Sequence, residues 1–130
     1  MGFLRMTMQA KLVELSDLLE PVETKTFPKG KFELFRVGDR TFGRATYEPG
    51  WKWSEHVGPA VDDIRCRLSH FGYVVSGSAA ASFEDGSVAE LRAGAFFYIP
   101  PIAHDSWVIG NQPYVSLHLD HPEDYAAKGS

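Results

Sequence analysis

The sequence predicts an all-β sandwich or barrel. Three observations carry that expectation. From Phe27 onward, short stretches rich in aromatic and β-branched residues alternate in polarity. Turn pairs such as Gly38-Asp39, Pro49-Gly50, Asp85-Gly86 and Gly110-Asn111 separate them at short intervals. No stretch after residue 26 shows the apolar spacing of a long helix.

The elements follow in chain order. Residues 1–26 read as an arm: Leu12, Leu15, Leu18 and Leu19 stand at roughly helical spacing, while residues 11–15 also alternate like a strand, and Glu20-Pro21 ends either element. The barrel is expected over residues 27–122. Strands are predicted over 31–37, 41–47, 51–56, 71–76 and 78–83, then 87–91, 95–99, 106–109 and 114–119. Asp85-Gly86 predicts a hairpin, because glycine accepts the positive φ of a tight turn. Residues 123–130 read as a short, fraying tail.

Composition narrows the function. The 130 residues suit one domain with a real core, 44% of them hydrophobic. The net charge is −4 and no Lys/Arg run occurs, so neither a nucleic acid nor an anionic membrane is expected as a partner. One cysteine excludes an internal disulfide and suits a reducing compartment. Arg5, Thr7, Gln9 and Lys11 interrupt any apolar leader, and no stretch reaches transmembrane length, so the expected location is cytoplasmic. Gly-rich phosphate loops, CxxC pairs and nucleophile elbows are absent from the sequence.

The chemistry concentrates in two segments. Residues 50–77 hold His56, Cys66 and His70, and residues 94–110 hold His104. Three histidines on neighbouring strand ends would bind a divalent transition metal, since imidazole suits zinc, copper, iron and nickel and leaves positions open for water or substrate. Strand parity groups His56 with Lys52 and Ser54, His70 with Gly72 and Val74, and His104 with Ser106 and Val108. With these faces turned inward, Trp51, Trp53 and Trp107 point outward and need covering by the arm or by a second subunit; outward-facing Trp51 and Trp53, together with the apolar arm, predict a homodimer. A bulge near Pro49-Gly50 would reverse the face of the third strand. Cys66 reads either as a buried small hydrophobe or as a fourth ligand, and His118 as a pocket or surface residue.

The motifs in these segments resemble those of the cupin superfamily. Its first motif is written G-x5-H-x-H-x3,4-E-x6-G, and its second G-x5-P-x-G-x2-H-x3-N. Gly50 and His56 match the opening of the first, and Gly77 closes it, with His70 in the place of the glutamate. Gly94 and Pro100 match the start of the second, with His104 one residue early. Counted back from His70, Cys66 falls where the family's second histidine lies; counted forward from His56, that place is Gly58. The resemblance covers roughly residues 30–120. Residues 59–67 lengthen the intervening loop, Ala95 follows the second motif's glycine, and that motif's inner glycine is missing.

The resemblance implies a double-stranded β-helix, a jelly-roll barrel carrying a short N-terminal arm. It also implies a metal held by His56, His70 and His104 with Cys66 as a fourth ligand, the identity among Zn, Fe, Ni, Mn and Cu left open. It implies no single reaction, because one fold hosts many chemistries. Two readings stand: a mononuclear metalloenzyme acting on a small molecule, with Asp105, Tyr98 and Glu55 as visible acid/base candidates, or a non-enzymatic binding or sensing module using the same cavity.

Overall fold

The computed structural model describes residues 9–126. Among these residues nine strands form two antiparallel sheets. They are β1 (Glu23–Phe27), β2 (Gly30–Val37), β3 (Arg40–Tyr47), β4 (His70–Ser76) and β5 (Ser78–Phe83), then β6 (Val88–Arg92), β7 (Phe96–Ile99), β8 (His104–Ile109) and β9 (Tyr114–His118). One sheet has the order β1-β2-β3-β9-β4-β7 and the other β6-β5-β8. The chain passes between sheets at Gly77, where φ is +75° and a Cβ would collide with the Pro113 carbonyl, so glycine alone fits.

The expected alternation decides which side chains form the core. Along β4, His70, Gly72 and Val74 are buried while the residues between them are more open. Tyr114, Ser116 and His118 face inward from β9 in the same way. The core joins Phe32, Leu34, Ala45, Tyr47, Val74, Phe97, Ile99 and Val108 between the sheets. The Asp85-Gly86 turn closes the β5–β6 hairpin as predicted.

On β2 the outer face is covered as well. Glu33 and Phe35 are buried there beneath Arg44, whose guanidinium donates to Glu33 Oε1 at 3.1 and 3.2 Å and lies 4.8 Å from the Phe35 ring centre. Arg44 also donates to the Leu18 carbonyl at 3.0 Å, which ties the arm down. Leu18 is buried next to a single 3-10 turn, Leu15–Asp17. The end of the expected arm is strand: β1 pairs with β2 along its whole length.

The predicted third strand is not a strand. Trp53–His56 forms one helical turn, α1, followed by a second, α2 (Gly58–Val61). Asp105, at the start of β8, accepts from the Ser54 backbone N–H at 3.0 Å and from Ser54 Oγ at 2.8 Å, satisfying groups that a helix start leaves open. The faces reverse accordingly: Trp51 and Trp53, expected outside, are each 2% exposed, and Lys52 lies outside them. Trp51 and Trp53, invoked for a homodimer interface, therefore lie in the core, while Trp107 is half-buried. Phe71, Phe96 and Tyr98 are the exposed aromatics of the β4–β7 edge. The tail departs from expectation too, because Tyr125 is buried and stacks on Phe32 at 4.3 Å; residues 127–130 lie outside the described ones. Among the described residues no helix is long and apolar enough to cross a membrane.

Candidate metal centre

Three elements deliver three donors to one point between the sheets. His70 opens β4 with its side chain inward. His104 opens β8. Cys66 sits in the connection ahead of β4 and pairs with His104 as an isolated antiparallel bridge. Cys66 Sγ, one nitrogen of His70 and one of His104 lie within 4.8 Å of one another, and all three residues are buried. Sγ stands 3.4 Å from His70 Nε2. Sulfur and nitrogen bound tetrahedrally to one zinc-like ion would be about 3.5 Å apart.

Hydrogen bonding orients the set. His104 Nδ1 lies 2.9 Å from the Ile102 carbonyl, which only accepts, so Nδ1 carries the hydrogen and Nε2 keeps its lone pair. The rings of His70 and His104 meet edge to face at 5.2 Å. Burial holds all the inner imidazoles neutral. The His70 pKa falls well below the usual histidine range through burial and then the neighbouring His118 and His104; burial also lowers that of His104, partly offset by the Ile102 carbonyl and Asp105. Burial pushes the Cys66 thiol up to about 11. Neutral imidazoles are ready donors, and the thiol becomes one by losing a proton to a metal.

His56 does not join this group. It sits on α1, its Nδ1 taking the Lys52 N–H at 2.9 Å, and it does not line the cavity. The expected inward parity of His56 fails because residues 53–56 are helical. His118 lies closer than its sequence context suggests. It is buried 5.7 Å from the His70 ring, with Nε2 3.1 Å from Ser116 Oγ, and burial lowers its pKa to about 4. Its place on the inner face with Tyr114 and Ser116 is the signal that parity offered.

The cavity around these groups measures about 40 Å³. Its walls are largely aromatic: Tyr47, Trp51, Trp53, Phe97, Tyr114 and Tyr125. The hydroxyls of Tyr47 and Tyr125 hydrogen-bond to each other. Burial raises the pKa of both, and pushes Tyr114 up to about 12. Tyr125 was hidden from sequence reasoning by its polar surroundings; one aromatic in an otherwise polar tail was the only signal. Of the acid/base candidates, Tyr98 and Glu55 are exposed, and Asp105 is engaged with Ser54, with Lys52 Nζ at 3.9 Å. None of the three lines the cavity.

Comparison of this barrel with solved structures places it among known folds. An oxalate decarboxylase from Lactobacillus farciminis, solved as a formate complex, superposes with a TM-score of 0.51 at 18% identity over 74% of this chain and 30% of that one. A candidate ethanolamine utilization protein Q from Salmonella typhimurium superposes at 0.54 with 13% identity, over 84% and 83% of the two chains. A protein of unknown function from Vibrio parahaemolyticus gives 0.53 with 11% identity, over 74% and 94%. The chain has the cupin fold.

The chain thus spans less than a third of the length of the oxalate decarboxylase. At these identities the likeness is one of fold. No protein-family model matches the chain, and no curated protein matches it. Within the cupin barrel, the Cys66, His70 and His104 set fits a divalent metal, on the chemistry of its donors and the 3.4 Å approach of Sγ to Nε2.

Proposed function

We propose that this cupin barrel binds one divalent metal through Cys66, His70 and His104, beside a small-molecule site in the same cavity. The observation that carries the reading is the convergence of a thiol and two neutral imidazoles, all buried, in one cavity. A thiolate with two imidazoles favours zinc or another thiophilic ion over magnesium or calcium, which prefer oxygen. When bound, such a metal acts as a Lewis acid toward an oxygen of the ligand. The protein supplies a largely aromatic enclosure around the ligand.

The acid/base equipment is sparse. Among the described residues no carboxylate or lysine lines the cavity, so proton transfer to a ligand would rest on His118 or a tyrosine hydroxyl. That favours metal-assisted binding of a small molecule over chemistry needing a carboxylate pair. Elemental analysis of protein purified without chelator tests the reading, alongside Cys66→Ala, His70→Ala and His104→Ala. The expected result is stoichiometric metal in the wild type and its loss in each variant. A wild type that stays metal-free after reconstitution, or variants that keep full occupancy, would overturn it. Cobalt substitution gives a second readout, a thiolate-to-cobalt charge-transfer absorption that Cys66→Ser abolishes.

A further inference from the structure

The outer face of the six-stranded sheet changes character halfway across. Over β1, β2 and β3 it carries Thr24, Thr26, Lys31, Glu33, Arg44 and Thr46, as a face turned to water should. The two aromatics there, Phe35 and Phe42, stack on each other, with Arg44 over Phe35. Over β9, β4 and β7 the same face carries Val115, Leu117, Phe71, Tyr73, Phe96 and Tyr98. The two halves form one surface, because Arg44 opposes Leu117, Leu117 opposes Tyr73 and Tyr73 opposes Phe96. No Asp, Glu, Lys or Arg occurs anywhere in β4, β7 or β9. Phe96 is 69% exposed, Tyr98 65% and Phe71 43%. They form one layer with Tyr73: Phe96 lies 4.9 Å from the Tyr73 ring and 6.5 Å from that of Phe71, and Tyr98 is the cross-strand partner of Phe71. The arm does not shield them, since Leu18, its buried residue, is tied to Arg44 on the polar half.

We propose that the outer face of β9, β4 and β7 binds the same face of a second copy of the chain about a twofold axis. The homodimer expected from Trp51 and Trp53 is thereby carried by other residues, and it does not rest on the metal. Three features select the occupant. The face is rich in aromatic residues and free of charge, as the centre of a protein–protein interface is. An uncharged face is its own complement: a twofold axis sets apolar rows against apolar rows and opposes no like charges. The area also suits a dimer. At about 200 Å² for each aromatic side chain, the exposed parts of Phe71, Phe96 and Tyr98 come to about 350 Å² in one copy and about 700 Å² in a pair. Tyr73, Val115, Leu117 and the 44% exposed Leu119 bring the pair to the roughly 1,000 Å² at which specific interfaces begin. An anionic membrane is a poor alternative for a face without lysine or arginine on a chain of net charge −4.

Sedimentation equilibrium of the full chain over a range of concentrations tests the proposal. The wild type is expected to dimerise with a micromolar or tighter dissociation constant. Phe96→Glu and Tyr98→Glu should each weaken the dimer about thirtyfold or more, as loss of a central aromatic contact does. Thr24→Glu, outward on the polar half of the same sheet, should leave it unchanged. Both aromatic side chains point away from the core, and urea midpoints check that their variants fold. A dilution series of 15N-labelled wild type gives a second readout that needs no variant. The backbone signals of Phe71, Tyr73, Phe96 and Tyr98 should move along the sedimentation isotherm while those of Thr24 and Thr26 stay still. A wild type that remains monomeric at about 100 μM would assign the face to some other partner and overturn the inference. So would a dimer that both glutamate variants leave intact, or dilution shifts confined to β1, β2 and β3.

Discussion

Cys66 and His104 exchange two backbone hydrogen bonds, each N–H to the other's carbonyl at 2.9 Å. This antiparallel pair, isolated from the named strands, holds a loop cysteine beside a strand histidine. The main chain therefore sets the sulfur's position. Cys66→Ser should leave the fold intact and weaken zinc binding by more than the roughly 10–100-fold that outer partners of a metal site are worth. His56→Ala should leave zinc affinity unchanged. Competition with a chromophoric chelator measures both; a His56 variant that loses zinc would contradict the geometry.

Zinc binding should release close to one proton at neutral pH. The proton comes from Cys66, whose thiol is held protonated by burial with its pKa at about 11, while His70 and His104 are already neutral. Titration in weakly buffered indicator dye counts it. Release near zero would mean that sulfur is not a ligand.

Acid should destabilise the metal-free protein through its buried histidines. His118 has a folded pKa of about 4 against an ordinary 6.5, with burial as the cause. The unfolded chain therefore takes up the proton first, and stability falls as pH drops from 6.5 toward 4, by about 3 kcal/mol for this group alone. His70 and His104 act in the same direction. Urea midpoints measured across that range should fall steadily, and His118→Gln should flatten the slope. A flat wild-type profile would show that the imidazole is solvated.

Tyr125 should matter more than its place in the tail suggests. Its ring stacks on Phe32 and its hydroxyl bonds that of Tyr47 inside the core. Tyr125→Ala should cost about 3–5 kcal/mol, as other large aromatic truncations do. Tyr125→Phe should cost about 1–3 kcal/mol, because it leaves the buried Tyr47 hydroxyl without its partner. Chemical denaturation separates the two, and an unaffected alanine variant would mean that the ring is not docked.

Asp105→Ala should loosen the helical turns while sparing the strands. The carboxylate accepts from Ser54 N, Ser54 Oγ and Ser106 N. Loss of this cap should cost about 0.5–2 kcal/mol and raise amide exchange selectively over residues 53–61. Uniform exchange changes across both sheets would refute a local role.

Most of the strands, the Asp85-Gly86 hairpin and the inward faces of His70 and His104 were legible in the sequence, because period-two burial needs only a sheet with one buried side; His118, left open between pocket and surface, is settled by packing. The residues between Trp51 and His56 were not. Six alternating residues also complete a helical turn, and what selects the turn is Asp105, far away in sequence, capping Ser54. That choice turned both tryptophans into the core and took His56 out of the donor set. Cys66 was visible as a candidate, but its partnership with His104 is a long-range backbone pairing that local spacing does not encode. Tyr125 entered the cavity wall through its stacking on Phe32. Periodicity reports which way a side chain faces within its own element; which elements meet, and hence which donors converge, is decided by packing between residues distant along the chain.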